Sequence, residues 1–150
     1  YAYMALIINI YRLVVSGGQS VARLGVVMPN LRLGRFFLLF IFLSISTQFP
    51  IFISPFLIPI IYFLLIPTSL NLVGLANDAS YKRIKLNISV QFSVFLIKLG
   101  VPIILVGLTI IIGVNEMIFW GIMVLIMYWM AISFALCYRV IMANSSTQSH

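Results

Sequence analysis

From residue 36 to residue 70 the chain reads FFLLFIFLSISTQFPIFISPFLIPIIYFLLIPTSL, without one charged side chain. As a single helix this block would extend roughly 52 Å, well beyond the ~30 Å hydrocarbon core of a bilayer. It contains Pro50, Pro55, Pro59 and Pro67, and each proline removes a backbone donor and clashes with the preceding turn. A break between Pro50 and Pro55 predicts a short helical hairpin, or one span followed by a re-entrant piece.

The composition of the whole chain is typical of a membrane protein. Of its 150 residues, 63% are hydrophobic and 7% are charged, and the mean hydropathy is +1.21. Soluble domains have roughly 25% charged residues, so this chain has too few charges to cover a water-facing surface. The composition predicts an integral membrane protein and excludes a soluble enzyme, a disordered tail and a nucleic-acid-binding domain.

The positive charges lie between the apolar blocks. Nine Lys and Arg residues against two Asp and Glu residues give a net charge of +7. Cationic loops of this kind stay at anionic headgroups on the cytoplasmic-type side of a membrane, so we expect the basic loops and the C-terminus there. The predicted headgroup and orientation residues are Arg23, Arg32, Arg35, Lys82, Arg83, Lys85 and Arg139.

These patterns predict an all-α integral membrane protein with one polytopic domain over residues 1–150. Because basic segments flank the proline-rich block on both sides, this block should cross the membrane an even number of times. We therefore expect about four spans in two transmembrane helical hairpins, the second turning at Asn115-Glu116. The segments are an N-terminal apolar helix 1–15, an interfacial basic segment 16–35, a proline-broken hairpin 36–70, a basic loop 71–87, a second hairpin 88–142 and a polar tail 143–150.

Lys98 is the unusual residue of the second hairpin. If that span begins near Ile88, Lys98 lies roughly 15 Å deep, where a cation costs about 2.5 kcal/mol or more and usually faces a partner or a cavity. Asp78 lies in a loop and Glu116 lies about 27 Å away by helix rise, so neither can neutralise it. The alternatives are a counter-ion from another subunit, a lipid headgroup or a substrate, a neutral lysine, or a lysine that snorkels to headgroups.

Two sets of residues define faces of the same helix. At 100° per residue, four polar side chains fall within about 20° of one line, although chance alignment is an alternative. We call this set the polar stripe: Asn87, Gln91, Lys98 and Thr109. Small residues at heptad spacing on the other side allow close approach of another helix, and we call this set the small-residue seam: Ser93, Gly100 and Gly107.

No catalytic or metal-binding set can be assembled from the sequence. The chain has one cysteine, Cys137, and one histidine, His150, and no carboxylate inside a predicted span, so we expect no enzyme activity and no cofactor or metal. The pattern favours a small non-catalytic subunit of a larger multi-protein membrane complex, with a scaffolding or translocation-path role. Its partners would be other membrane subunits and lipids, not nucleic acid. The alternatives are a homo-oligomeric channel or transporter lined by the polar stripe, and a membrane-shaping hairpin protein.

Cysteine labelling tests the predicted orientation. In a background with Cys137 replaced by Ser, single cysteines at positions 80 and 146 should react with an impermeant maleimide from the same, cytoplasmic-type face. A cysteine at position 115 should react only from the opposite face. Labelling of positions 80 and 146 from opposite faces would eliminate the double-hairpin arrangement.

Overall fold

The computed structural model describes residues 2–17, 31–54, 56–77, 79, 81 and 84–147. The regular structure of these residues is entirely helical, which confirms the predicted all-α class. A 3₁₀ turn, Phe49–Phe52, follows the second helix, and a π-helical turn, Leu96–Gly100, joins the fourth helix to the fifth. The helices are α1 (Ala2–Ser16), α2 (Leu31–Gln48), α3 (Leu57–Ala76), α4 (Ile88–Phe95), α5 (Val101–Ile112) and α6 (Glu116–Thr147).

Within the described ranges, three helices are long and apolar enough to cross a membrane. They are α3, the continuous α4–π–α5 helix over Ile88–Ile112, and the Glu116–Asn144 part of α6. The apolar parts of α1 and α2, Tyr3–Ser16 and Leu33–Gln48, are shorter. The expectation of about four spans in two hairpins goes beyond this finding and stays a prediction.

The prolines of the 36–70 block act in three different ways. Pro50 is buried at the end of α2, where its carbonyl accepts backbone hydrogen bonds of 3.0 and 2.9 Å from the following turn. Pro59 lies in the first turn of α3, where a backbone N–H would have no intrahelical partner. Pro67 lies inside α3, which continues beyond it, and Pro55 is outside the described residues. The α-helical conformation of α2 thus ends just before Pro50, and α2 packs against α3.

Helix α3 extends to Ala76, six residues into the segment 71–87 that the sequence assigns to a loop, and residues 70–76 are all buried. Arg12 of α1 donates from Nε to the Ala76 carbonyl at 2.7 Å. Ser16 donates from Oγ to Oδ1 of Asn77 at 2.7 Å, and Asn77 donates from Nδ2 to the Val73 carbonyl at 2.9 Å. A cation at a helix C-terminus also complements the helix dipole, so α1 caps the end of α3.

The chain turns between α5 and α6 at Gly113, which ends α5 with a left-handed φ of +67°. A residue with a Cβ is strained in this conformation, so glycine suits the end of a helix. Asn115 then accepts a hydrogen bond of 2.9 Å at Oδ1 from the Met117 N–H, which caps the start of α6. The turn therefore lies one or two residues before the predicted Asn115-Glu116 position, and α6 begins at Glu116.

The core lies where α1, α2, α3 and α6 meet. Its most buried large side chains are Phe36, Phe134, Ile8, Ile66, Leu70 and Val73. Helices α3 and α6 approach closely at Gly74, where a Cβ would lie 2.9 Å from the Tyr138 hydroxyl oxygen and 3.5 Å from Cζ. Glycine at position 74 therefore leaves room for the end of the Tyr138 side chain against α3.

Replacing Gly74 by Ala should destabilise the fold by about 1–3 kcal/mol, because overpacking forces neighbouring groups to move. Adding Tyr138→Phe removes the oxygen at 2.9 Å, so the double variant should recover most of the loss. Gly34→Ala is the control, since a Cβ there meets nothing within 4 Å. Unfolding free energies in mixed micelles measure the effect, and an equal loss in the single and double variants would contradict the α3–α6 contact.

Candidate functional site

The centre of the α4–π–α5 helix departs from α-helical geometry around Lys98. The Val101 N–H bonds the Leu96 carbonyl, five residues back. The next bond in this register would join residue 102 to the Ile97 carbonyl, but Pro102 has no N–H. Trp129 of α6 supplies a donor in its place, from Nε1 to the Ile97 carbonyl at 3.3 Å. The Trp129 side chain of α6 thus donates the hydrogen bond to Ile97 that the backbone of Pro102 cannot donate.

A second carbonyl is satisfied in the same manner. Pro67 removes the N–H that would bond the Phe63 carbonyl in α3, and Gln91 of α4 donates from Nε2 to that carbonyl at 2.6 Å. An unsatisfied carbonyl in hydrocarbon costs several kcal/mol. Gln91 therefore holds α4 against α3 at the level of the proline.

Lys98 faces the inside of the bundle. Its Nζ lies 3.7 Å from the ring centroid of Phe134 in α6 and 5.2 Å from that of Tyr62 in α3. Phe134 is only 1% exposed, and a cation–π contact is worth about 2 kcal/mol or more when it is desolvated. Among the described residues, Nζ has no salt-bridge or hydrogen-bond partner. The faces of two aromatic rings thus stabilise the charge of the ammonium.

A cavity of about 280 Å³ lies beside Lys98. Its wall is largely apolar, and α1, α2, α3 and α6 all contribute to it together with Lys98. Thr47 donates from Oγ1 to the Leu43 carbonyl at 2.8 Å, and Ser69 donates from Oγ to the Ile66 carbonyl at 2.9 Å. These hydroxyl hydrogens are engaged within their own helices. The polar residues of the wall are Tyr3, Tyr11, Ser44, Thr47, Tyr62, Ser69 and Lys98.

The four residues of the polar stripe lie in different surroundings. Gln91 and Lys98 both contact α3. Asn87 is exposed at the start of α4, where its carbonyl accepts the Gln91 N–H at 2.9 Å. Thr109 is buried near the turn into α6 and donates from Oγ1 to the Val106 carbonyl at 2.7 Å. Gln91 and Lys98 thus both face α3, through different contacts, and the other two residues lie toward the ends of the helix.

The small-residue seam faces away from the bundle. Ser93 is exposed, and its Oγ donates to the Ser89 carbonyl at 3.0 Å. A Cβ on Gly100 would meet only Leu96 of its own helix, and a Cβ on Gly107 would meet nothing within 4 Å. No other helix of the described chain occupies the space above either glycine.

The predicted orientation residues are exposed wherever the structure describes their side chains. These are Arg35, Lys85 and Arg139. Arg23, Lys82 and Arg83 lie outside the described residues, as does the side chain of Arg32. Within the described ranges no group of three His, Cys, Asp or Glu residues could hold a metal ion.

Two residues with clear structural roles are absent from the predicted sets. Arg12 is the only charged residue of α1, and a lone cation in an apolar helix is a signal that it has a polar partner elsewhere in the chain. Trp129 gives no such signal, because its partner is the carbonyl of a residue 32 positions earlier in the chain.

Replacing Gln91 by Leu should destabilise the fold by about 0.6–1.7 kcal/mol, the range for hydrogen bonds between membrane helices. Pro67→Ala restores an N–H four residues after Phe63, so Gln91→Leu should cost little in that background. Gln48→Leu, at an exposed position of α2, is the matched control. Unfolding in mixed micelles measures all four variants, and the same penalty with and without Pro67 would show that Gln91 does not act through the Phe63 carbonyl.

Comparisons with protein-family models, with curated proteins and with solved structures find no match for this chain. The cavity beside Lys98 and the outward small-residue seam are the two features of the described structure from which a function can be argued.

Proposed function

We propose that this chain is a non-catalytic subunit of a larger membrane complex and binds its partner through the small-residue seam. The seam lies on the least covered of the three long apolar helices. In the apolar stretch of Ile88–Ile112, 11% of the residues are buried, against 33% for α3 and 22% for α6. Lipid tails have no need of small residues, whereas neighbouring helices use them to approach closely.

The seam and the interior contacts belong to opposite sides of the same helix. Gln91 and Lys98 face inward and are engaged by α3 and α6, whereas Gly107 has open space beside it. A partner helix can therefore dock on the outer side without disturbing the inner contacts. This arrangement favours a scaffolding role. The outer face of the α4–π–α5 helix would bind a partner, and its inner face contacts α3 and α6 of the same chain.

We further propose that the chain crosses the membrane as two hairpins, α2–α3 and α5–α6, with the basic loops on the cytoplasmic-type side. The contacts of α2 with α3 and of α5 with α6 support this arrangement. Hydrogen bonds join the C-terminal ends of α1 and α3, and Tyr138 of α6 approaches Gly74 at the same end. Arg139 is next to this contact in sequence, so Arg12 and Arg139 lie toward the same end of the bundle, which supports an orientation by the positive-inside rule.

A homo-oligomeric channel lined by the polar stripe is less favoured. A pore between subunits would need the stripe on an outer surface, but Gln91 and Lys98 are occupied by α3 and α6 of the same chain. No described feature favours a membrane-shaping role.

Native mass spectrometry of the chain solubilised in mild detergent tests the subunit proposal. Unlike subunits should co-purify with the wild-type chain. Gly107→Leu should reduce their recovery by about tenfold or more, because a larger side chain overpacks a close helix contact. Gly121→Leu is the matched control, since a Cβ at that glycine also meets nothing within 4 Å. Recovery of the chain only as a monomer or as a ring of itself would contradict the proposal.

A further inference from the structure

We infer that the cavity beside Lys98 is a binding site for a small anionic amphiphile, a medium-chain carboxylate. The carboxylate would meet the Lys98 ammonium, and its hydrocarbon chain would lie along the apolar wall. This inference does not depend on the subunit proposal, because the cavity lies between α1, α2, α3, α6 and Lys98, and the small-residue seam lies on another side of the α4–π–α5 helix.

The charge of Lys98 is the first reason. A lysine ammonium has three N–H donors and no acceptor. The rings of Phe134 and Tyr62 lie 3.7 and 5.2 Å from Nζ and stabilise its charge, but they do not replace an oxygen acceptor. A carboxylate in the adjoining cavity would accept charge-assisted hydrogen bonds, which are roughly twice as strong as neutral ones.

The other polar groups of the wall make an anion a better fit than a cation. No Asp or Glu is among the described residues that line the cavity, so no carboxylate repels a bound anion. The hydroxyl hydrogens of Thr47 and Ser69 are engaged with their own helices. Lys98 is the one cationic donor among the described residues of the wall, and the hydroxyl groups of Tyr3, Tyr11, Ser44 and Tyr62 lie in the same wall.

The size and the lining of the cavity indicate an apolar body attached to that charge. At ~30 Å³ for each water-sized group, a cavity of about 280 Å³ holds roughly nine such groups, which matches a carboxylate of about eight carbons. This volume is just below the usual range for ligand pockets, about 300–1,000 Å³. Chloride or phosphate would leave most of the apolar wall uncovered. The apolar residues of the wall include Ile7, Leu43, Leu65, Leu72 and Met127.

Octanoate binding to the full chain, purified in mild detergent with any subunits it retains, tests the inference. Native mass spectrometry should detect one octanoate per chain. Octanol, which has the same chain length and no charge, should bind at least about tenfold more weakly, and chloride should not displace octanoate. Lys98→Met should weaken octanoate binding by about 10- to 100-fold, the loss expected for a hydrogen bond to a charged group. Lys85→Met, at an exposed lysine, should leave it unchanged.

A further variant keeps the charge and removes the space. Ser44 lines the cavity from α2, so Ser44→Leu should reduce octanoate binding while Lys98 remains in place. The inference is wrong if wild-type chain and Lys98→Met bind octanoate equally, or if octanol binds as well as octanoate. The comparison of octanoate with octanol uses the wild-type chain only, so it tests the preference for a carboxylate even if a variant does not fold. Displacement of octanoate by chloride would indicate a simple anion site and would also overturn the inference.

Discussion

Hydrocarbon cannot donate a hydrogen bond to a backbone carbonyl. A carbonyl that loses its N–H partner to a proline in an apolar helix must therefore accept a hydrogen bond from another part of the protein. Two such carbonyls, those of Phe63 and Ile97, receive donors from Gln91 and Trp129. The first bond joins α4 to α3, and the second joins the π turn to α6. The three long apolar helices are thus connected at the points where proline weakens their own hydrogen bonding.

The position of Lys98 follows from the same constraint. The residue lies in the π turn, between the level of Gln91 and the proline at position 102, and both bonds turn this side of the helix toward α3 and α6. Its ammonium consequently meets the rings of Phe134 and Tyr62 instead of lipid. The same helix leaves its small residues on the outer side, with no helix of the described chain above Gly107. One helix therefore has an inner face suited to a charged ligand and an outer face suited to another helix.

The sequence anticipated some of these features and missed others for identifiable reasons. The break near Pro50 and the turn before Glu116 were predictable, since proline and glycine restrict the backbone locally. Helical periodicity placed Gln91, Lys98 and Thr109 on one face, but it did not anticipate the π turn Leu96–Gly100, across which a constant 100° per residue does not apply. The continuation of α3 through residues 71–76 could have been expected from composition, because Asn71 is the only polar side chain among them. The donors that support its end were not predictable, because they come from Arg12 and Ser16 of α1.

Composition indicates a membrane environment for this chain, because its few charges cannot cover a surface in water, and local patterns indicate where its helices begin and end. Tertiary structure decided which helix each polar side chain meets. The donor for the Phe63 carbonyl comes from 28 residues later in the chain, and the donor for the Ile97 carbonyl from 32 residues later. Periodicity describes the faces of one helix, but the partner of a buried carbonyl or cation depends on how separate helices pack.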